Sequence, residues 1–202
     1  MNYTYDFHKA CVSDNMHQIG RLIYHTDPYI YPFWRESEHQ FTDFIEPWLY
    51  AEGFLYYYRN FCVISERRDR YPLGIIGGLD AATRPNFDYS VFDDERSEFV
   101  ISHYIRNVMA ERKSIPNDSI LITNLCIDPV VRGLGIGYEL VNRYIDMMEK
   151  RGYRSFRLDC LEDNIPARQM YNKLGFQEIG GGYGFSGPKQ TEPKILHLLL
   201  EF

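Results

Sequence analysis

The chain is short of several things, and each shortage excludes something. Its four cysteines, Cys11, Cys62, Cys126 and Cys160, are widely spaced and form no C-x-x-C pair. Neither a disulfide framework nor a cysteine zinc site is expected from that spacing. Three of the four lie in apolar runs that read as strands, so buried, reduced thiols are expected. His103 and His197 have no partners at metal-ligand spacing, and no metal is expected. Basic clusters are missing too: 22 Lys and Arg face 28 Asp and Glu, a net charge of −6. A phosphate backbone demands a positive face, so nucleic acid is not an expected partner. An acidic surface better suits a small cationic substrate. No apolar run approaches the roughly 20 residues of a membrane span. The opening Met1-Asn2-Tyr3-Thr4-Tyr5-Asp6 has neither the basic region nor the apolar core of a signal peptide. A soluble, cytoplasmic protein with no membrane partner is the expectation.

What is present is the composition of a folded domain. The chain has 202 residues, 45% apolar and 25% charged, which fits a single domain over residues 1–202. Tyr3 to Val12 reads as a strand, with Ser13 or Asp14 capping a helix that carries Met16, Ile19, Leu22 and Ile23 on one face. Phe41, Phe44, Ile45, Trp48 and Leu49 mark a second helix, which Pro47 should kink or end near Glu46. Phe61 to Ile64 and Leu73 to Leu79 form a hairpin of strands, and Gly77-Gly78 suggests a bulge or a close approach. Residues 81–96 read as a long loop, and Phe99, Val100, Tyr104 and Val108 as another helix. Ile120 to Ile127 is a strand buried on both faces. A helix with Leu140, Val141, Tyr144, Ile145 and Met148 on its stripe follows and stops at Gly152. The strand Phe156 to Cys160, a short helix from Pro166 to Lys173, and strands from Phe176 and over Ile195 to Leu200 complete a mixed α/β domain. The apolar end, Ile195 to Phe202, offers a strand for pairing across a homodimer.

Chemistry concentrates where the buried strand meets the next helix. Leu125-Cys126-Ile127-Asp128-Pro129 leads into Arg132-Gly133-Leu134-Gly135-Ile136-Gly137-Tyr138. Main-chain N–H groups freed by a glycine turn, with the positive end of a helix behind them, make a phosphate site. The Rossmann pattern G-x-G-x-x-G is not met in a strand-to-helix turn, and no G-K-S/T follows to make a Walker loop.

The segment from Arg132 to Gly137 matches R/Q-x-x-G-x-G/A, the signature of GNAT-type N-acetyltransferases. Downstream, Asn164-Ile165-Pro166-Ala167-Arg168-Gln169-Met170-Tyr171-Asn172-Lys173-Leu174-Gly175-Phe176 resembles that family's N-x-x-A-x-x-x-Y-x-K-x-G-F segment. The two stand in the family's order and separation and cover residues 120–180, the cofactor half. The resemblance implies a mostly antiparallel mixed sheet with a splayed parallel central strand pair, flanked by helices, and acetyl-CoA held in the splay. By position, it implies that Leu125, Cys126 and Ile127 offer main-chain groups to the pantetheine arm. Gly133, Leu134, Gly135, Ile136, Gly137 and Tyr138 would cradle the pyrophosphate, with Arg132 adding charge. Asn164 would hold the pantetheine, unless it simply caps the helix after it, and Arg168 would face the adenine. Tyr171 aligns with the tyrosine that protonates the leaving thiolate, or else packs against Phe176. Where some members carry a glutamate base, this chain has Thr123 and Asn124. Asp159 on the next strand is the alternative base, with Glu36, Glu38 and Glu46 less specific.

The activity implied is direct transfer of acetyl from acetyl-CoA to a primary amine of a small molecule or peptide, in a ternary complex. The absent glutamate motivates a second reading, a non-catalytic acyl-CoA-binding sensor or regulatory module. Residues 14–60 would form the substrate side. There Tyr29, Tyr31, Phe33 and Trp34 beside Glu36 and Glu38 suit an amine with an apolar body, or serve only as core.

Overall fold

In a computed structural model, residues 5–28, 34–35, 37–80, 94–95, 97–98, 102, 115–184 and 193–202 are described. The order is β1 (Tyr5–Lys9), α1 (Met16–Tyr24), α2 (Glu38–Leu49), β2 (Phe61–Glu66), β3 (Pro72–Asp80), β4 (Ser119–Ile127), α3 (Ile136–Glu149), β5 (Ser155–Leu161), α4 (Ile165–Lys173), β6 (Gln177–Tyr183) and β7 (Lys194–Glu201). The strands make one sheet in the order β1-β2-β3-β4-β5-β7-β6. All pairs are antiparallel except β4 with β5. The long loop expected over 81–96 and the helix around 99–108 fall largely outside the described residues.

Period-two burial divides the sheet between two cores. Phe61, Val63, Ile75, Leu79 and Cys126 point to the side covered by α1 and α2. Ile120, Ile122, Phe156, Leu158, Cys160, Leu196, Leu198 and Leu200 point to the side covered by α3 and α4. Each strand alternates because successive side chains leave opposite faces.

The central strand pair is built open. β4 and β5 pair from Ser119↔Ser155 to Ile122↔Leu158, and there the ladder stops. Beyond Ile122, β4 stays paired with β3 alone, while β5 stays paired with β7. The divergence begins at a bulge: Gly77 lies opposite Asn124 but Gly78 opposite Ile122, leaving Thr123 as the extra residue. A bulge bends its strand and sharpens its twist, which turns β4 away from β5. Gly77 and Gly78 are required there by contact as well. A Cβ on Gly77 would lie 2.6 Å from the Phe61 ring, and one on Gly78 would lie 2.8 Å from Tyr144 Oη and 2.9 Å from the Leu121 carbonyl oxygen. Both the bulge and the close approach expected at this dipeptide are present.

Four local expectations need correction. α1 is capped by Asn15, whose side chain accepts from Gln18 N at 2.9 Å. Asp14 instead lies buried, accepting from Cys11 N at 2.8 Å and lying 3.0 Å from His8 Nε2. β1 ends at Lys9, short of Val12. α2 continues past Glu46 to Leu49 despite Pro47. Proline removes one N–H, but burial of Phe41, Ile45, Trp48 and Leu49 holds the last turn. The capping box at Ser37 and Gln40 fixes the helix's other end. Finally, β7 lies between β5 and β6, with both edges paired, so it has no free edge for a second copy. Among the described strands, β1 and β6 form the edges.

Candidate active site

The gap between β4 and β5 has hydrogen-bonding groups along its wall. Asp128 N donates to Leu73 O of β3 at 2.8 Å. Alternation along an antiparallel ladder therefore directs the main chain of Cys126 toward β3 and that of Leu125 and Ile127 toward the gap. Of the three residues expected to meet pantetheine, Leu125 and Ile127 offer groups to the gap and Cys126 does not. The Ile127 carbonyl already accepts from Arg132 Nε at 2.9 Å, which folds that arginine over the strand end. Cys126 is buried, and burial pushes its thiol up to about 11, partly opposed by Arg132. Burial likewise raises Cys62 to about 12 and Cys160 to about 11. These thiols stay protonated near neutrality, a poor state for a nucleophile.

At the open end of the gap the chain turns into α3. Gly133 and Gly135 take φ of +79° and +80°, and a Cβ built on either meets nothing within 4 Å. Glycine is needed there for the backbone angle, and the space above the turn is clear. Gly135 is the N-cap of α3 and supplies no side-chain cap. The first N–H groups of a helix have no acceptor within it, so those of Ile136, Gly137 and Tyr138 face outward at the positive end of the helix dipole. Gly137 also lies close to a neighbour: a Cβ would sit 3.1 Å from Met170 Sδ. Leu134 is exposed, Ile136 is buried in the core, and the Tyr138 ring lies 5.1 Å from Lys173 Nζ.

Asp128 braces this turn. It is 4% exposed, and it accepts from Val130 N at 3.0 Å and from Gln18 Nε2 of α1 at 3.0 Å. Gln18 Nε2 also donates to Pro72 O. One buried pair thus ties α1, the start of β3 and the entry to the glycine turn together. Neither residue stood out in the sequence. The signal was slight: an Asp before Pro129 at a strand end is a turn residue.

Asn164 caps α4, accepting from Ala167 N at 3.3 Å. The Arg168 side chain donates to Glu162 O at 2.9 Å. Tyr171 is buried on α4, its ring edge-on to Phe176 at 5.6 Å. Burial, with a smaller contribution from Cys160, holds its hydroxyl protonated well above the usual tyrosine range. Asn124, which stands where a glutamate base was sought, is 2% exposed and donates to Thr26 Oγ1 at 2.9 Å. It pins the turn after α1.

Asp159 is the first β5 residue beyond the paired segment. Its Oδ1 lies 2.6 Å from His197 Nδ1 on β7, the register partner. In the sequence His197 reads as a lone histidine, because its partner is 38 residues away and adjacent only through strand order. Glu38 is occupied, with Arg21 Nε at 2.9 Å and His25 Nε2 at 2.5 Å. Trp34, Phe41 and Trp48 pack in the core, with the Trp34 ring 5.4 Å from that of Phe41. Tyr29, Tyr31, Phe33, Glu36 and His103 lie outside the described residues. Two groups of side chains were not foreseen: His8, Cys11 and Asp14, and the exposed His17, His39 and Asp43. In the first, Arg70 Nη2 stands 3.4 Å from both Cys11 Sγ and Asp14 Oδ1, which sets a guanidinium against the group.

The profile of the Acetyltransferase (GNAT) family matches residues 29–176. A relative from Escherichia coli K12, the [Ribosomal protein bS18]-alanine N-acetyltransferase, is 34% identical over 61 residues, 30% of this chain and 41% of that protein. The matched segments span between 25% and 44% of the length of the first curated relatives. Among solved structures, an N-acetyltransferase from Staphylococcus aureus Mu50 superposes with a TM-score of 0.65 at 17% identity, covering 96% of this chain and 100% of that one. The NatC complex bound to Gag peptide and CoA contains a chain with a TM-score of 0.58 at 16% identity, covering 98% of each. The family match spans most of the chain, and the splayed sheet and glycine turn accord with it. The chain belongs to the acetyltransferase (GNAT) family.

Proposed function

We propose that this protein transfers an acetyl group from acetyl-CoA to a primary amine of a small molecule or peptide, by direct attack in a ternary complex. The observation that carries the reading is the half-unpaired β4 leading into an uncapped helix N-terminus. Leu125 and Ile127 supply strand-like hydrogen bonds to the pantetheine amides, and the N–H groups after Gly135 meet the pyrophosphate. Gly133 to Tyr138 form the cradle, Arg132 adds positive charge at its edge, and Arg168 stands toward the adenine end. Asn164 contributes through its amide nitrogen, since its oxygen is used in capping.

In the reaction the amine nitrogen bonds to the thioester carbon and the carbonyl π pair moves to oxygen. Collapse restores the carbonyl and breaks the C–S bond. Tyr171, kept protonated by burial, gives its proton to the departing sulfur and is refilled by the second proton from the nitrogen. Asp159 brings negative charge to the other side of the gap, where it favours an approaching ammonium group. The buried thiols support direct attack over an acyl-enzyme. The peptide class is supported by the E. coli relative's alanine acceptor and by the Gag peptide of NatC.

The test is product detection by mass spectrometry, with acetyl-CoA and a panel of polyamines, amino acids, aminoglycosides, arylalkylamines and short peptides. An acetylated amine is expected. Acetyl-CoA that stabilises the protein to heat while no amine is acetylated would favour the sensor reading, which Thr123 and Asn124 motivate.

A further inference from the structure

The reaction needs a group to take the first proton from the ammonium substrate, and β4 offers none: Thr123 Oγ1 lies 3.5 Å from Gly77 O as its donor, and Asn124 is tied to Thr26. Resting on the acetyl-transfer reading, we propose that His197 is the general base and that Asp159 positions it.

Four observations support this. First, the pair sits at the right place. The β4–β5 ladder ends at Leu158, so Asp159 is the first residue lining the opened gap, and His197 lies beside it on β7. Second, the pair lies on the right face. Leu158 and Cys160 on β5, and Leu196 and Leu198 on β7, enter the core beneath α3 and α4. Alternation sends Asp159 and His197 to the opposite face of the sheet. An amine arriving there approaches the gap from the side away from the phosphate turn, without crossing the cofactor.

Third, the tautomer is fixed. A carboxylate only accepts, so the hydrogen between Asp159 Oδ1 and His197 Nδ1 belongs to the imidazole. Neutral His197 then carries its lone pair on Nε2, the atom free to take a proton. The resulting imidazolium is stabilised by Asp159, as in other carboxylate-oriented histidines. Fourth, the ring is reachable. The His197 and Asp159 side chains are 31% and 36% exposed. The neighbouring strand places glycines beside the ring, so no side chain of Gly180 or Gly182 covers it: a Cβ on Gly180 would lie at ordinary contact distance, 3.8 Å from Cδ2, and one on Gly182 3.8 Å from Nε2. Among the described residues, Arg157, the next residue of β5 on this face, and Asp159 are the charged groups of β5 beside His197; Ile195 and Leu199 flank it on β7, and β6 contributes the glycines.

The proton balance is complete. His197 Nε2 takes one proton from R–NH3+ and returns it to solvent. The second nitrogen proton, lost as the C–S bond breaks, reaches the sulfur through Tyr171.

Two measurements test the assignment. Nitrogen NMR of histidine-labelled protein should show neutral His197 protonated on Nδ1, and Asp159→Asn should abolish that preference. Observation of the Nε2–H form in the wild type overturns the proposal whatever the substrate. In steady-state assays on an amine that the wild type acetylates, His197→Gln should lower kcat roughly 100-fold or more. It should leave acetyl-CoA affinity unchanged. Asp159→Asn should lower kcat less, and Asp159→Glu should recover part of the loss. An active wild type matched by an equally active His197→Gln defeats the base assignment and leaves acetyl transfer standing. A wild type that binds acetyl-CoA and acetylates none of the panel defeats the acetyl-transfer reading, and the base with it.

Discussion

At the scale of single residues, the proposed cofactor site rests on main-chain geometry. Gly135 shows this most simply. Its φ of +80° disfavours any L side chain, while its surroundings leave room for one. Gly135→Ala should therefore destabilise by about 1–2 kcal/mol from backbone strain alone. For a chain of this size that lowers the melting temperature by roughly 2–8 °C, which calorimetry reads directly. Acetyl-CoA affinity should fall as well, because the strained turn no longer presents its N–H groups in register. Tyr171→Phe should leave that affinity unchanged and cut kcat about 100-fold, since the sulfur must then leave without its donor. Equal activity in the phenylalanine variant would reduce Tyr171 to a packing residue. The turn itself was legible in the sequence, because glycines at that spacing carry their positive φ with them. Gln18, Asp128 and His197 were not, since each acquires its role from a partner on another element.

At the scale of elements, the bulge between β3 and β4 separates a continuous ladder from an open gap. Gly78→Ala places a methyl 2.9 Å from both Ile120 Cγ2 and the Leu121 carbonyl oxygen. The backbone atom cannot give way cheaply, so a loss of about 1–3 kcal/mol in denaturant unfolding is expected from overpacking. The brace between α1 and the glycine turn makes a second prediction. Asp128→Ala leaves Val130 N without its acceptor and the buried Gln18 amide with Pro72 O alone, at a cost of about 1–3 kcal/mol. Its acetyl-CoA affinity should drop although Asp128 touches no part of the cradle. Unchanged binding would show that the turn holds its shape unaided. Element identity followed from period in the sequence, as with the α1 stripe of Met16, Ile19, Leu22 and Ile23. Element ends did not: Pro47 signalled a stop near Glu46, yet the buried Trp48 and Leu49 carry α2 onward. The cap moved from Ser13 or Asp14 to Asn15 because the Asp14 carboxylate was taken by His8 and Cys11.

At the scale of the whole molecule, strand order does what no local pattern announces. A chain-terminal apolar strand looks like an edge, but β7 inserts between β5 and β6, bringing His197 beside Asp159. The same burial that shapes both cores makes stability depend on alkaline pH. Cys62, Cys126 and Cys160 are raised from 9.0 to about 12, 11 and 11, chiefly by burial. An unfolded thiol ionises first, so this contribution is complete below pH 9 and is lost as pH rises from 9 toward 11. Buried Tyr144 and Tyr171 add to the loss above 10.0. A melting temperature that stays level from pH 9 to 11 would contradict the burial of these groups. The most direct test of the account is calorimetric titration of the intact protein with acetyl-CoA. One molecule should bind per chain, with weaker binding to Gly135→Ala and undiminished binding to His197→Gln. An absence of binding by the wild type would contradict the assignment of the gap and the glycine turn to the cofactor.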